Sequence, residues 1–305
     1  MKFFVTGVAG QLGHDVMNEL AKRGYEGVGS DIAPQYSGVE DGSSVTTMPY
    51  VGMDITDAKA VRETILSVKP DVVVHCAAWT AVDLAEDEDK KEKVYAINAK
   101  GTQNIADVCK ELDCKVIYIS TDYVFDGEGT RPWEPDDERH PLNVYGQTKY
   151  EGELAVENNL DKYFIVRIAW VFGVNGKNFI KTMLRVGGQN GAVSVVDDQI
   201  GSPTYTYDLA VLLVDMVLTE KYGRYHATNE GLCSWYEFAC EIFKQAGMDV
   251  KVTPVSTEEY LKMYPTQAKR PMNSRICKDK LEENGFNRLP AWQDALARYL
   301  KIINQ

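Results

Sequence analysis

Short apolar runs alternate along this chain with stretches in which apolar side chains recur every three or four positions, the periodicities of buried strands and amphipathic helices. Lys2 to Thr6 reads as a strand, and Leu12, Val16 and Leu20 mark a helix that ends near Gly24. Gly24 to Ser30 reads as a second strand, ending at Asp31, before a polar, Gly/Ser-rich loop from Ile32 to Tyr50. Met53 to Asp57 closes a short strand, with Thr56 or Asp57 placed to cap the next helix. Pro70 to His75, Val116 to Ile119 and Tyr163 to Ile168 are further apolar runs, and Val82 to Leu112 reads as helical. Strands separated by helices imply right-handed crossovers, hence an α/β fold with a doubly wound parallel sheet.

Regularity weakens after Ile168. Helices are expected over Asn178–Arg185, Asp208–Leu218, Trp235–Ala246, Glu258–Met263 and Ala291–Ile303, and strands over Val193–Val196 and Arg224–Ala227. The last of these strands is read as returning to the main sheet.

The turn after the first strand carries Gly7, Gly10 and Gly13, with Gln11 and Leu12 between the last two. Glycines there let backbone N–H groups at a helix N-terminus approach a pyrophosphate. The spacing is G-x-x-G-x-x-G, and a glycine repeat alone also suits an ordinary turn; its place between strand and helix decides. Asp31, eighteen residues after Gly13, stands where a carboxylate hydrogen-bonds an adenosine ribose and disfavours a 2′-phosphate. Asp54 and Ile55 can flank an adenine ring, and the small residues around Ala77, Ala78 and Thr80 permit close approach of a cofactor. The chain is therefore read as a dinucleotide-binding domain over residues 1–168, with 205–232 returning to it. A smaller C-terminal α/β substrate lobe takes 169–204 and 233–305, with substrate in the crevice between the two.

Thr121 ends the central strand, where open α/β sheets place ligands. Tyr145 and Lys149 fall four apart in a helical segment and share one face. That spacing is common on solvated helices. Beside the glycine turn and the strand-end hydroxyl it reads instead as a phenol whose pKa an ammonium lowers, fit to protonate a carbonyl oxygen.

At 305 residues, 44% hydrophobic and 26% charged, the composition is that of an ordinary globular chain. A net charge of −12 argues against binding nucleic acid or an anionic membrane. No apolar stretch nears the roughly 20 residues of a membrane span, and no signal-peptide cleavage site precedes the first strand. The six cysteines show no paired spacing and the four histidines no metal-ligand pattern, so reduced thiols, no bound metal and a cytoplasmic location are expected.

Further motifs make the pattern more specific. Val82-Asp83-Leu84-Ala85-Glu86, Ser120 to Gly127, Tyr145-Gly146-Gln147-Thr148-Lys149, Asp198 to Thr204 and Arg270-Pro271-Met272-Asn273-Ser274-Arg275 follow one another in order. With the glycine turn they resemble the dTDP-4-dehydrorhamnose reductases, a branch of the extended short-chain dehydrogenase/reductase family, from Gly7 to Arg275. The resemblance implies a Rossmann-like fold and reduction, by NADH or NADPH, of the C4 ketone of a dTDP-linked 4-keto-6-deoxy sugar, closing dTDP-rhamnose biosynthesis. It implies Tyr145 as general acid, Lys149 as its partner and ribose ligand, and Thr121 as the group that holds the keto oxygen. It adds Asn98 on the cofactor side as part of a proton relay. Val82, Asp83, Asp122, Tyr123, Trp170, Asn178, Gln199 and Arg275 fall on the nucleotide-sugar side, with Arg275 the candidate for the diphosphate.

The related 4,6-dehydratases place an acidic pair directly after the threonine, whereas Asp122 here is followed by Tyr123. Two alternatives stay open: a noncatalytic regulatory subunit, as a homologue serves methionine adenosyltransferase, and a reductase of another nucleotide-linked 4-ketosugar. The family includes Mg²⁺-bridged homodimers held by glutamates and also monomers. Glu19 alone does not choose between them.

Overall fold

The computed structural model describes residues 1–303. Its first half comprises β1 (Lys2–Thr6), α1 (Gln11–Lys22), β2 (Glu26–Asp31), β3 (Tyr50–Gly52), α2 (Ala58–Val68), β4 (Val72–His75), α3 (Glu88–Tyr95), α4 (Gly101–Leu112), β5 (Lys115–Thr121) and α5 (Val144–Asn159). There follow β6 (Tyr163–Ile168), β7 (Val171–Phe172), α6 (Phe179–Asn190), β8 (Ala192–Val196), β9 (Ile200–Gly201), β10 (Thr204–Tyr205), α7 (Thr206–Val217) and β11 (Gly223–His226). The chain closes with β12 (Cys233–Ser234), α8 (Trp235–Ala246), β13 (Lys251–Val255), α9 (Thr257–Met263), α10 (Asp279–Glu283) and α11 (Trp292–Ile303).

Seven strands form one parallel sheet in the order β11–β6–β5–β4–β1–β2–β3. The chain leaves β1 towards β2 and returns on its other side at β4. The crevice beyond the C-terminal ends of β1 and β4 is therefore the switch point where doubly wound folds bind ligands. β1 and β4 to β6 are buried almost throughout, as strands covered on both faces must be. Leu12, Val16 and Leu20 of α1 pack with Leu209, Leu213 and Val217 of α7 on one face, and Val61, Ile65, Ile105 and Cys109 of α2 and α4 on the other. The Asp57 side chain caps α2, accepting from the Lys59 and Ala60 amides at 3.0 Å. A separate core joins Phe172, Ile180, Tyr205, Phe238, Trp292 and Tyr299 in the C-terminal part.

The strand expected to close over Met53–Asp57 lies at Tyr50–Gly52, and α10 and the two-residue strands β7, β9, β10 and β12 are too short to leave a periodic signal; two further elements differ from the sequence expectation. Val82 to Leu112 is not one helix: a 3₁₀ turn (Asp83–Glu86) precedes α3, and a π-helical turn (Ala96–Lys100) divides α3 from α4. Local periodicity cannot show this turn, because its Asn98 is engaged by the distant backbone of Trp79. The second is β13, which pairs in parallel with β8. It carries Pro254 and is mostly exposed, so it has the marks of an edge strand and lacks the apolar signature of a central one. All six cysteines are free; Cys109, Cys114 and Cys233 are buried and the others half-buried. Among the described residues, no helix is long and apolar enough to cross a membrane.

Candidate active site

A cavity of about 1120 Å³ opens at the C-terminal ends of the central strands. Pockets for one small molecule span roughly 300–1,000 Å³, so this cavity is just past the large end of that range. Its lining contains Gly7, Gly10, Gln11, Leu12, Gly13, Asp31, Asp54, Ile55, Ala77, Ala78 and Thr80 from the expected cofactor set. It also contains Val82, Thr121, Asp122, Tyr123, Tyr145, Lys149 and Trp170.

The glycine turn is built for close approach. Gly7 has a φ of +73°, and a Cβ there would sit 2.7 Å from the Ala77 nitrogen; a Cβ on Gly13 would collide with the Gly7 carbonyl oxygen. Side chains at these positions would strike the protein's own backbone, so the turn packs closely between β1 and α1, and the α1 N-terminus borders the cavity, which suits a pyrophosphate on backbone amides. A hydroxyl–imidazole chain fixes the opposing strand. Thr102 Oγ1 donates to the Asn98 carbonyl oxygen (2.7 Å), so it accepts from His75 Nε2 (3.1 Å). His75 Nδ1 then accepts from the Thr6 hydroxyl (2.8 Å), whose oxygen accepts the Ala77 N–H (3.1 Å). Burial, aided by the Lys149 charge, lowers the His75 pKa to about 3 and keeps the ring in this neutral tautomer. Asp31 Oδ2 accepts from the Ala9 amide (3.0 Å) and Oδ1 from that of Ile32 (2.8 Å), so the carboxylate is fixed beside the glycine turn.

Thr121, Tyr145 and Lys149 converge on the same cavity. Asn143 caps α5, its side chain accepting from the Gly146 amide (2.7 Å), and so sets the height at which the helix presents Tyr145. The Thr121 hydroxyl donates to Asp122 Oδ1 (3.0 Å), and the Tyr123 ring meets that of Tyr145 edge-on at 5.5 Å. Lys149 Nζ lies 4.1 Å from the centre of the Tyr118 ring. Burial lowers its pKa to about 7, against the raising influence of Glu153 and Cys76. Burial raises the Tyr145 phenol above its ordinary range, the Thr121 hydroxyl opposing. The expected lowering of the phenol pKa is thus not met, because desolvation, with the Asp122 charge added to it, outweighs the hydrogen bond from Thr121. Burial also lifts Asp122 to about 6, opposed by its bond from Thr121.

Five expected residues lie outside the lining. Asn98 spends its amide on the Trp79 backbone (2.8 and 3.1 Å) and on Thr148 (3.1 Å). Asn178 caps α6 and donates to Gln11 Oε1 (3.0 Å) and the Tyr299 hydroxyl (2.9 Å). Gln199 donates to Thr257 (3.1 Å), and Arg275 turns back to Asn273 in its own loop (3.0 Å). Asp83 pairs with Arg270 (2.9 Å) and accepts the Ala268 amide (3.0 Å), which ties the 268–270 segment to the cavity mouth. Glu19 accepts a bond from Arg23 (2.6 Å), the residue that follows α1.

Among the lining residues that sequence reasoning did not single out, Arg270 and Trp235 carry the most chemistry. Arg270 stands in the same motif as Arg275, and burial against Asp83 and Tyr123 marks it as the inward guanidinium. Trp235, the first residue of α8, carries no signal beyond helical periodicity; only the fold brings it to Trp170.

A doubly wound sheet, a glycine turn at its switch point and a Thr–Tyr–Lys set at its strand ends define an extended short-chain dehydrogenase/reductase. The chain belongs to the dTDP-4-dehydrorhamnose reductase family: its model, the RmlD substrate binding domain, matches residues 1–305. The spore coat polysaccharide biosynthesis protein SpsK of Bacillus subtilis is 37% identical over 98% of this chain and 97% of its own. The dTDP-4-dehydrorhamnose reductase of Salmonella typhimurium is 36% identical over the same shares. The crystal structure of that enzyme from Bacillus anthracis, in complex with NADP, superposes with a TM-score of 0.87 at 39% identity, covering 99% of each chain.

Proposed function

We propose that the chain reduces the C4 ketone of dTDP-6-deoxy-L-lyxo-4-hexulose to dTDP-L-rhamnose with NADH or NADPH, the last step of dTDP-rhamnose biosynthesis. One observation carries the reading. Thr121, Tyr145 and Lys149 share a cavity with the glycine turn, in a chain that matches reductases of this name over nearly its whole length.

The bound dinucleotide supplies the hydride. Gly7, Gly10 and Gly13 with Gln11 and Leu12 take its pyrophosphate; Asp31 takes the adenosine ribose; Asp54 and Ile55 flank the adenine; Ala77, Ala78 and Thr80 border the nicotinamide side. Thr121 directs the keto oxygen towards Tyr145, whose hydroxyl donates a proton to the oxygen as charge develops. Burial keeps that proton on the phenol until it is needed. Lys149 stabilises the phenolate left behind and holds the nicotinamide ribose. Trp170 and Trp235 pack on the sugar, and Arg270, in place of Arg275, faces the diphosphate, since a guanidinium matches phosphate bidentately. Asn98 and Asn178 act one layer behind, holding Trp79 and Gln11.

The division of labour follows the sheet, with residues 1–168 and 205–232 binding the dinucleotide and 169–204 with 233–305 forming the substrate lobe. The pairing of β11 with β6 supports this. Six free thiols fit a cytoplasmic monomer or homodimer.

The test is oxidation of NADH and NADPH with the ketosugar generated in situ and the product identified by NMR. Turnover to dTDP-L-rhamnose is expected. Dinucleotide binding without turnover on this or related ketosugars overturns the reading in favour of a regulatory subunit.

A further inference from the structure

Behind Lys149, α5 enters a buried ion cluster. Glu153, one helical turn further on, is 0% exposed. Both its oxygens meet Arg167 of β6 at 2.8 Å, and Arg139 adds a third bond at 2.7 Å. Arg139 and Arg224 hold Glu157 (3.0 and 2.5 Å), and Arg224 reaches Asp136 (3.1 Å). Three guanidiniums therefore face three carboxylates, none of them lining the cavity.

Such a cluster is a poor device for stability alone, because apolar replacements of similar volume often hold a fold as well. Its position beside Lys149 gives it another role. His75 and Cys76, consecutive residues where β4 ends, Tyr118 of β5 and Glu153 on its own helix act on Lys149, while Thr121, Asp122 and Tyr145 line the same cavity. Burial leaves His75, Cys76 and the phenols uncharged, and Asp122 is raised towards neutrality. Burial works against ionisation of Glu153 too, but Arg167, Ser120 and Arg139 hold it at about 2. It is the one firmly ionised carboxylate in this set.

We propose that Glu153, clamped by Arg167 and Arg139, is a positioning residue for the reduction: its buried negative charge keeps the Lys149 ammonium charged and in place at the cavity. The proposal rests on the reductase reading above. Glu153→Gln leaves unopposed positive charge behind Lys149, whereas Arg139→Gln leaves excess negative charge and keeps the Glu153–Arg167 pair.

The test follows two readouts in wild type and both variants: the pH profile of kcat, and the side-chain titration of Lys149 by NMR of isotopically labelled lysine, assigned with Lys149→Arg. Glu153→Gln is expected to move the Lys149 titration and the alkaline limb of kcat down by about one pH unit. Arg139→Gln is expected to move both upwards. Shifts of the same sign in the two variants, or none in either, overturn the proposal, since a merely structural role predicts no opposed signs. If Glu153→Gln does not fold, the sign for Arg139→Gln decides alone. Absent turnover in wild type would sink the reductase reading, while the NMR titration still decides whether Glu153 governs Lys149.

Discussion

Trp170 and Trp235 stack indole on indole, ring centres 3.7 Å apart and planes 16° from parallel. Trp170 is held in the left-handed region (φ +51°), a costly conformation for a large side chain. Its ring lies where a Cβ on Gly201 would come within 3.0 Å. Trp235 is fixed from the other side by the capping box of Ser234 and Glu237, with Phe179 at 4.6 Å.

Two indoles this close couple their transitions, so a circular-dichroism couplet is expected in wild type. Trp235→Leu should remove it and raise KM for the ketosugar by up to about tenfold, the range of one aromatic pair. Dinucleotide affinity should hold. A lost couplet with unchanged KM would take the stack out of substrate recognition.

Tyr145→Phe removes a proton donor and little else, since the ring keeps its packing on Tyr123. The expected loss in kcat is about 10²- to 10⁴-fold, with dinucleotide binding, followed by fluorescence titration, nearly unchanged. Near-full turnover would remove Tyr145 from the mechanism.

Lys149 is a site where function opposes stability. Its folded pKa of about 7 lies below the 10.5 of a free lysine. Between those values the unfolded chain binds more protons, so this residue's contribution to stability rises with pH there. Lys149→Met should therefore be inactive yet more stable near neutral pH, on the order of 4 kcal/mol. The advantage should shrink towards about pH 10. Urea unfolding of the two proteins at neutral and alkaline pH checks the sign; an advantage that grows with pH contradicts it.

Asp31 presents a fixed carboxylate beside the glycine turn, because Ala9 and Ile32 hold both its oxygens. Asp31→Ala should weaken NADH use and relieve repulsion of a 2′-phosphate, raising the NADPH:NADH ratio of kcat/KM by about tenfold or more. A ratio that does not move would mean that Asp31 does not discriminate.

The residues by themselves determined the alternation of strands and helices: apolar runs for β1 and β4 to β6, the glycine turn, Asp31, and the Thr121, Tyr145 and Lys149 positions. These are local signals, written in periodicity and in spacing along one strand or one helix turn. Tertiary structure alone decided what depends on groups far apart in sequence. It placed a π-helical turn at Asn98, whose side-chain amide bonds the Trp79 backbone. It turned Arg275 outward and Arg270 inward, brought Trp235 against Trp170, and placed Arg167 and Arg139 behind Lys149 through Glu153. Burial also reversed the expected shift of Tyr145, because desolvation is a property of the packed fold and not of a neighbour four residues away.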